Sequence, residues 1–248
     1  MQVQKTAFGG LTSYVVHQPG DAPPRLAVVL CHGYGATGTD LVGLVRPLLI
    51  ADPALAEKAA LIFPAAPLDL SPQGLPGGRA WWHVDLDRLI NRPTPDLLDQ
   101  FRRAAPAGLT ESRHLLLSLI EEAGRQFGLS ADRFLLGGFS QGAMLTTDVA
   151  LRLPVAPAGL AALSGALINE AEWRPLAMQR GPLTVLQSHG THDSILPFPM
   201  GAALRDLLLE AGADVDFIAF AGDHEIPPPA VSRLAGLISK AATSGRGL

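Results

Sequence analysis

At 248 residues, 48% hydrophobic and 17% charged, the chain is long enough for one large domain with a sizeable core and too apolar for intrinsic disorder. A net charge of −4, with no lysine- or arginine-rich run, argues against a general nucleic-acid binder, whose footprint is basic. The lone cysteine, Cys31, rules out an intrachain disulfide and fits a reducing compartment. MQVQKTAFGG lacks an apolar signal core and no uncharged apolar run reaches spanning length, so the expectation is a soluble cytoplasmic protein.

In chain order, residues 12–17 (TSYVVH) read as an antiparallel strand at the leading edge of a sheet. Apolar runs follow at 26–31 (LAVVLC), 61–63 (LIF), 134–139 (FLLGGF), 160–163 (LAAL), 183–187 (LTVLQ) and 215–220 (VDFIAF). Most are nearly continuous in apolar character, as strands covered on both faces should be. Helical spacing lies between them. It is clearest over 110–127, where Leu115, Leu116, Leu119, Ile120 and Ala123 recur, Thr110-Glu111-Ser112 offers cap chemistry and Gly128 follows the end. Residues 141–153, 199–211 and 229–241 also read as helices, the last started by Pro227-Pro228-Pro229. The alternation predicts an α/β fold, with a mainly parallel central sheet, helices on both faces and a single domain over 1–248. Residues 68–108 are proline- and glycine-rich and hold Trp81-Trp82. They read as a long loop excursion over the active-site edge of the sheet, partly helical near 95–103.

The stretch VLCHGYGATGTD (29–40) has two readings. Gly33-x-Gly35-x-x-Gly38 after a strand is the form of a dinucleotide fingerprint. His-Gly-x-Gly is also the form of a loop that turns backbone N–H groups toward an oxyanion. A dinucleotide site needs an acid at the tip of the next strand. Here that strand runs into Pro64-Ala65-Ala66-Pro67, with Asp52 and Glu57 before it, so no cofactor is expected.

Gly138-Phe139-Ser140-Gln141-Gly142 falls where a predicted strand meets a predicted helix. A G-x-S-x-G there makes a sharp strand–turn–helix that stands the serine at the sheet's end. A serine needs a base, and the base a carboxylate, in the chain order serine, acid, histidine. Only His189, His192 and His224 follow Ser140. Asp193 and His224 each fall in a loop at the carboxyl end of a predicted strand, on the edge that holds Ser140, so the three can converge. His192 adjoins Asp193 and precedes it, which disfavours it as the base; Asp223 and Glu225 flank His224 too closely to orient it and read as solvated charges. The oxyanion donors expected are the backbone N–H groups of Tyr34 and Gln141, with His32 holding the loop. Adjacent tryptophans in an extended segment cannot both face inward, so Trp81 and Trp82 either put one ring at the substrate mouth or anchor the long loop on the core. Cys31 reads as a small buried apolar residue, and His17 and His114 as surface histidines.

The set H-G-x-G-x-x-G-x-D, G-F-S-Q-G-A, H-G-x-x-D-x-x-x-P and G-x-H-E-I resembles the phospholipase/carboxylesterase family of α/β-hydrolases, which includes bacterial carboxylesterases and acyl-protein thioesterases. The resemblance runs over about residues 25–240. It implies Ser140 as nucleophile, Asp193 as orienting acid and His224 as base, and it likens Gly77–Trp82, with Arg79 before the tryptophan pair, to a segment near the acyl pocket. His83 stands where the family often has an acid, and 87–108 is longer than its core needs. Both bear on substrate choice and not on catalytic class. The expected partner is a small-molecule ester or thioester, with no nucleic acid, no stable membrane insertion, no metal and a homodimer as a permitted assembly. Two other classes compete: a metal-dependent hydrolase using His189, His192, Asp193 and His224, and a non-catalytic binding protein on the same fold. The first lacks His-Glu-x-x-His spacing; the second has no need of a complete triad.

Overall fold

The computed structural model describes residues 2–17, 23–85 and 94–244. Eight strands form one sheet: β1 (Val3–Phe8), β2 (Leu11–Val16), β3 (Leu26–Cys31), β4 (Ala59–Pro64), β7 (Phe134–Phe139), β8 (Gly159–Leu163), β9 (Thr184–Gly190) and β10 (Asp214–Phe220). Their spatial order is β1-β2-β4-β3-β7-β8-β9-β10. From β4 to β10 every pairing is parallel, and β2 runs antiparallel to β4. Two short strands, β5 (Leu68–Asp69) and β6 (Arg79–Ala80), pair separately within the excursion.

The alternation of side chains along the central strands divides the core into two layers. Ala27, Val29 and Cys31 of β3 join one apolar cluster, and Leu26, Val28 and Leu30 the other. The first layer lies under α4 (Leu109–Phe127), α5 (Gln141–Arg152), α6 (Glu170–Arg180) and α7 (Phe198–Glu210); the second lies under α1 (Val45–Ala51), the one-turn α2 (Leu55–Lys58) and α8 (Pro228–Thr243). A further helix, α3 (Pro95–Arg103), lies in the excursion as expected, capped by the Thr94 side chain accepting from Leu97 N–H. The stretch 86–93, which carries part of the excursion, lies outside the described residues.

Several expectations change. The strand at 12–17 is second from the edge, because Val3–Phe8 pairs outside it through a Gly9-Gly10 turn with φ of 56° and 80°. Two consecutive positive φ values suit a tight hairpin. The first strand was silent because its residues, apart from Phe8 and the half-buried Thr6, are exposed. The strand at 183–187 continues to Gly190, so His189 belongs to the sheet. Helix α6 has no clear period in the sequence: only Trp173 and Ala177 are buried in it, and Pro175 sits inside. The cap of α4 is Gly108 with φ 94°, not Thr110-Glu111-Ser112, and the Ser112 hydroxyl instead donates to the Trp81 carbonyl.

Three helices of the first layer meet at Asp148, which is fully buried. Its carboxylate accepts from Trp173 Nε1 at 2.8 Å and pairs with Arg113 and Arg152, so α4, α5 and α6 share one anion. Removing one partner of a buried ion pair leaves the other charge uncompensated. Asp148→Ala is therefore expected to cost about 3–5 kcal/mol, read as a lowered urea midpoint, with an unchanged slope if the folded core is otherwise intact.

Candidate active site

At the end of β7 the chain turns directly into α5. Ser140 carries φ 55° and ψ −118°, a conformation that L-residues hold only where the surroundings impose it. Its N–H donates to Leu163 O at 2.9 Å, locking the turn to β8. The glycines on either side permit the geometry: a Cβ at Gly142 would lie 2.0 Å from Cys31 O, and one at Gly138 would lie 2.6 Å from the same oxygen. Ser140 is half-buried.

Asp193 and His224 leave β9 and β10 on the same edge. His224 Nδ1 lies 2.8 Å from Asp193 Oδ2, while Asp193 Oδ1 accepts the N–H groups of Ile195 (3.0 Å) and Leu196 (2.7 Å). The imidazole packs on the Phe139 ring at 4.7 Å between centroids, beside Ser140. No hydrogen bond joins Ser140 Oγ to His224 among the described residues; such bonds often tighten only when substrate binds.

The rival groups take other places. His192 is exposed, and its N–H donates to Gly222 O. Glu225 is exposed as expected. Asp223 is more than a solvated charge: it accepts from the N–H and hydroxyl of Ser194 and from the N–H of His224, stitching the acid loop to the base loop. These bonds, the Ser194 N–H foremost, hold its carboxyl below the ordinary aspartate range.

The loop after β3 is held from below. Buried His32 places Nδ1 2.8 Å from Gly33 O and accepts Ala66 N–H on Nε2 at 3.0 Å, which fixes the tautomer with the hydrogen on Nδ1. Burial lowers its pKa, in keeping with a ring that accepts at one nitrogen. Gly35 has φ 79°, and Gly35 N–H bonds Arg79 O at 2.9 Å. A Cβ at Gly33 would lie 3.2 Å from Ser140 Cβ, so this loop passes directly over the serine. Gly38 answers to packing, since a Cβ there would lie 2.3 Å from that of Ala65. Among the described residues, the N–H groups of Tyr34 and Gln141 have no acceptor.

Trp81 and Trp82 are both 1% exposed, contrary to the expectation that only one faces inward. The chain bends immediately after β6, so strand alternation does not apply to this pair. Trp81 Nε1 donates to His32 O at 2.9 Å. The Arg79 guanidinium reaches the carbonyls of Ala66 and Pro67, and His83 is exposed. In this arrangement the pair and Arg79 support the oxyanion loop from beneath, and neither indole faces an open mouth. Gln141 has a role that the sequence did not reveal. Its buried amide accepts Trp81 N–H at 2.9 Å and donates to Trp82 O at 2.8 Å, clamping the excursion to the residue after the serine. The only sequence signal for it is a glutamine inside an otherwise small and apolar turn.

Cys31 is fully buried, and burial pushes its thiol far up, away from thiolate chemistry. Among the described residues, no three His, Cys, Asp or Glu side chains are grouped to hold a metal ion, and no helix is long and apolar enough to cross a membrane. An open groove of about 660 Å³ along α4, lined by His114, Leu117, Glu121 and Arg125 among others, holds none of the triad candidates.

A mainly parallel sheet with a strained serine turn, an acid–histidine pair at later strand ends and an oxyanion-type loop defines an α/β-hydrolase. The pattern of the phospholipase/carboxylesterase family matches residues 12–242, and the chain belongs to that family, whose chemistry is hydrolysis of carboxylic esters. Acyl-protein thioesterase 1 of Eremothecium gossypii is 32% identical over 176 residues, covering 71% of this chain and 69% of the relative. The acyl-protein thioesterase 1 of Saccharomyces cerevisiae is 26% identical over 236 residues, covering 90% and 95%. Among solved structures, esterase PE8 is 25% identical with a TM-score of 0.76 over 93% of this chain and 99% of its own. TT1662 from Thermus thermophilus, at 18% identity and a TM-score of 0.69, covers 99% and 100% and shares the fold.

Two outcomes follow from the clamps. Gln141→Leu orphans a buried N–H and a buried carbonyl, each at a cost of about 1–3 kcal/mol, which equilibrium urea unfolding measures. Asp223 has a depressed folded pKa, so its contribution is fully present above the ordinary aspartate value and is lost as pH falls through the lower folded value. The stability difference between wild type and Asp223→Ala should stay constant from about pH 8 to pH 5 and shrink only below about pH 4, as followed by unfolding at a series of pH values.

Proposed function

We propose that Ser140, Asp193 and His224 act as nucleophile, orienting acid and base in hydrolysis of carboxylic esters or thioesters through an acyl-enzyme. The observation that carries this reading is the 2.8 Å contact from His224 Nδ1 to Asp193 Oδ2 beside the strained turn of Ser140. Ser140 Oγ attacks the carbonyl carbon while His224 Nε2 takes its proton. The tetrahedral oxyanion is held by the N–H groups of Tyr34 and Gln141. His224 then protonates the leaving alkoxide or thiolate, and the acyl group remains on Ser140. Water, giving its proton to His224, attacks the acyl carbon and releases the acid and free Ser140. Asp193 keeps the proton of the resting imidazole on Nδ1 and stabilises the imidazolium.

A mostly apolar pocket of about 210 Å³ is the candidate acyl subsite, although, like the groove along α4, it holds none of the triad residues. Leu98, Asp99 and Arg102 of α3, Leu167 after β8, and Pro199, Met200 and Ala203 of α7 line it. The thioester half of the proposal draws on the names of the two thioesterase relatives. Free, buried Cys31 as the lone cysteine supports action in the cytoplasm.

Fluorophosphonate labelling is expected in the wild type and lost in Ser140→Ala, with p-nitrophenyl ester turnover lost in parallel; retained turnover would exclude the mechanism. Asp193→Asn should lower kcat by about 10⁴-fold, and loss of activity on chelation with recovery on adding zinc would favour the metal reading. In a panel of acyl chain lengths, Ala203→Phe should move the kcat/KM optimum to shorter chains; an unmoved optimum would place the acyl group elsewhere.

A further inference from the structure

A second histidine lies against Asp193. His189, near the end of β9, is fully buried and no step of the proposed reaction uses it. Its Nε2 is 2.7 Å from Leu196 O and 3.3 Å from Asp193 Oδ2. Among the described residues its Nδ1 has no hydrogen-bond partner. Both atoms near Nε2 are acceptors and Nδ1 faces none, so the ring hydrogen belongs on Nε2, where it is donated to the Leu196 carbonyl with the carboxylate 3.3 Å away. The ring cannot turn away. A Cβ on Gly201 of α7 would lie 2.2 Å from Nδ1, so the helix backbone lies directly against it, and the Phe198 ring meets it edge-on at 6.1 Å.

The geometry closes a circuit around the acid. Leu196 N–H holds Asp193 Oδ1, and Leu196 O is held in turn by His189 Nε2. The same Nε2 lies 3.3 Å from Oδ2, the oxygen that faces His224. One ring fixed in the sheet thereby backs both carboxylate oxygens, the first through the Leu196 peptide and the second by close contact. Without it, the loop from 191 to 196 keeps the backbone bonds to Oδ1 and the bond from Asp193 N–H to Gly190 O, but Leu196 O loses its tie to β9 and Oδ2 loses the ring that backs it. We propose that His189 is a positioning residue that acts through Asp193 to aim His224. The proposal rests on the triad reading above.

Two variants of similar polarity test it. The amide nitrogen of His189→Gln reaches the place of Nε2, whereas that of His189→Asn reaches only the place of Nδ1. With p-nitrophenyl butyrate, the Gln variant should keep kcat within about threefold and the Asn variant should lose about tenfold or more, with KM within about twofold in both, since a misaimed base affects the chemical step. Equal kcat in the two variants would overturn the proposal. The same substitutions in an Asp193→Asn background supply the second readout. A residue acting through Asp193 should cost little once the carboxylate is gone, whereas a merely structural one should cost as much as before. Additive losses overturn the role of His189 and leave the triad standing. Full activity in Asp193→Asn alone overturns the triad reading itself, and this proposal with it.

Discussion

The first turn of α5 lies so close to the end of β3 that a Cβ at Gly142 would stand 2.0 Å from Cys31 O and 2.6 Å from His32 O. That contact sets the angle at which the chain leaves β7, and it leaves Ser140 no ordinary backbone conformation. A residue held at such φ and ψ costs on the order of 1–3 kcal/mol. The cost is offset by α5 itself, in which every residue from 141 to 151 is buried. A helix buried on all sides has no alternative place in the fold. The same contact brings the start of the 33–38 loop beside the start of α5, so the N–H groups of Tyr34 and Gln141 are placed by one piece of packing. The proposed nucleophile and the N–H groups assigned to the oxyanion are thus placed by a single backbone approach, which only glycine permits.

Asp193 and His224, the proposed acid and base, have no such rigid support, since each sits in a loop beyond its strand. Their precision comes from polar ties. Asp223 joins Ser194 to His224, and Asp193 is held at Oδ1 by two N–H groups. Two neighbouring carboxylates are separated in purpose by what surrounds them. Asp223 is exposed and spends its lone pairs on backbone and a hydroxyl, whereas Asp193 is buried and keeps one oxygen for an imidazole. On the other side of the serine, the Gln141 amide and the Trp81 indole tie the excursion to the oxyanion loop. A site on loops stays within catalytic tolerance only if a supporting shell of this kind locks it.

What could be read from the sequence follows from what leaves a local pattern. The central strands were legible because burial on both faces makes them continuously apolar, and Ser140, Asp193 and His224 because their types, order and positions after strands are constrained together. Val3–Phe8 was not, since an edge strand with mostly exposed side chains has no apolar signature; the Gly9-Gly10 pair was its only trace. Trp81-Trp82 misled because alternation was assumed where the chain bends. Gln141 and His189 were invisible in role because a single buried polar side chain is defined by its partners, and those lie 59–60 residues away for Gln141 and across a loop for His189.

Catalytic class and substrate choice rest on different parts of this molecule. The reacting groups depend on glycine contacts, strand ends and backbone ties, none of which involves α3 or the apolar side chains of α7. The cavity assigned to the acyl group is lined by Leu98, Leu167, Met200 and Ala203, from α3, the loop after β8 and α7. Of these, α3 belongs to the excursion, the segment that exceeds what the fold needs to position its triad. It is held to the body of the fold by the Arg102–Glu170 ion pair and by half-buried Leu98 and Phe101, which pack against the first core layer. Substitution of Leu98 is thus expected to reshape this pocket while the backbone turn at Ser140 stays fixed.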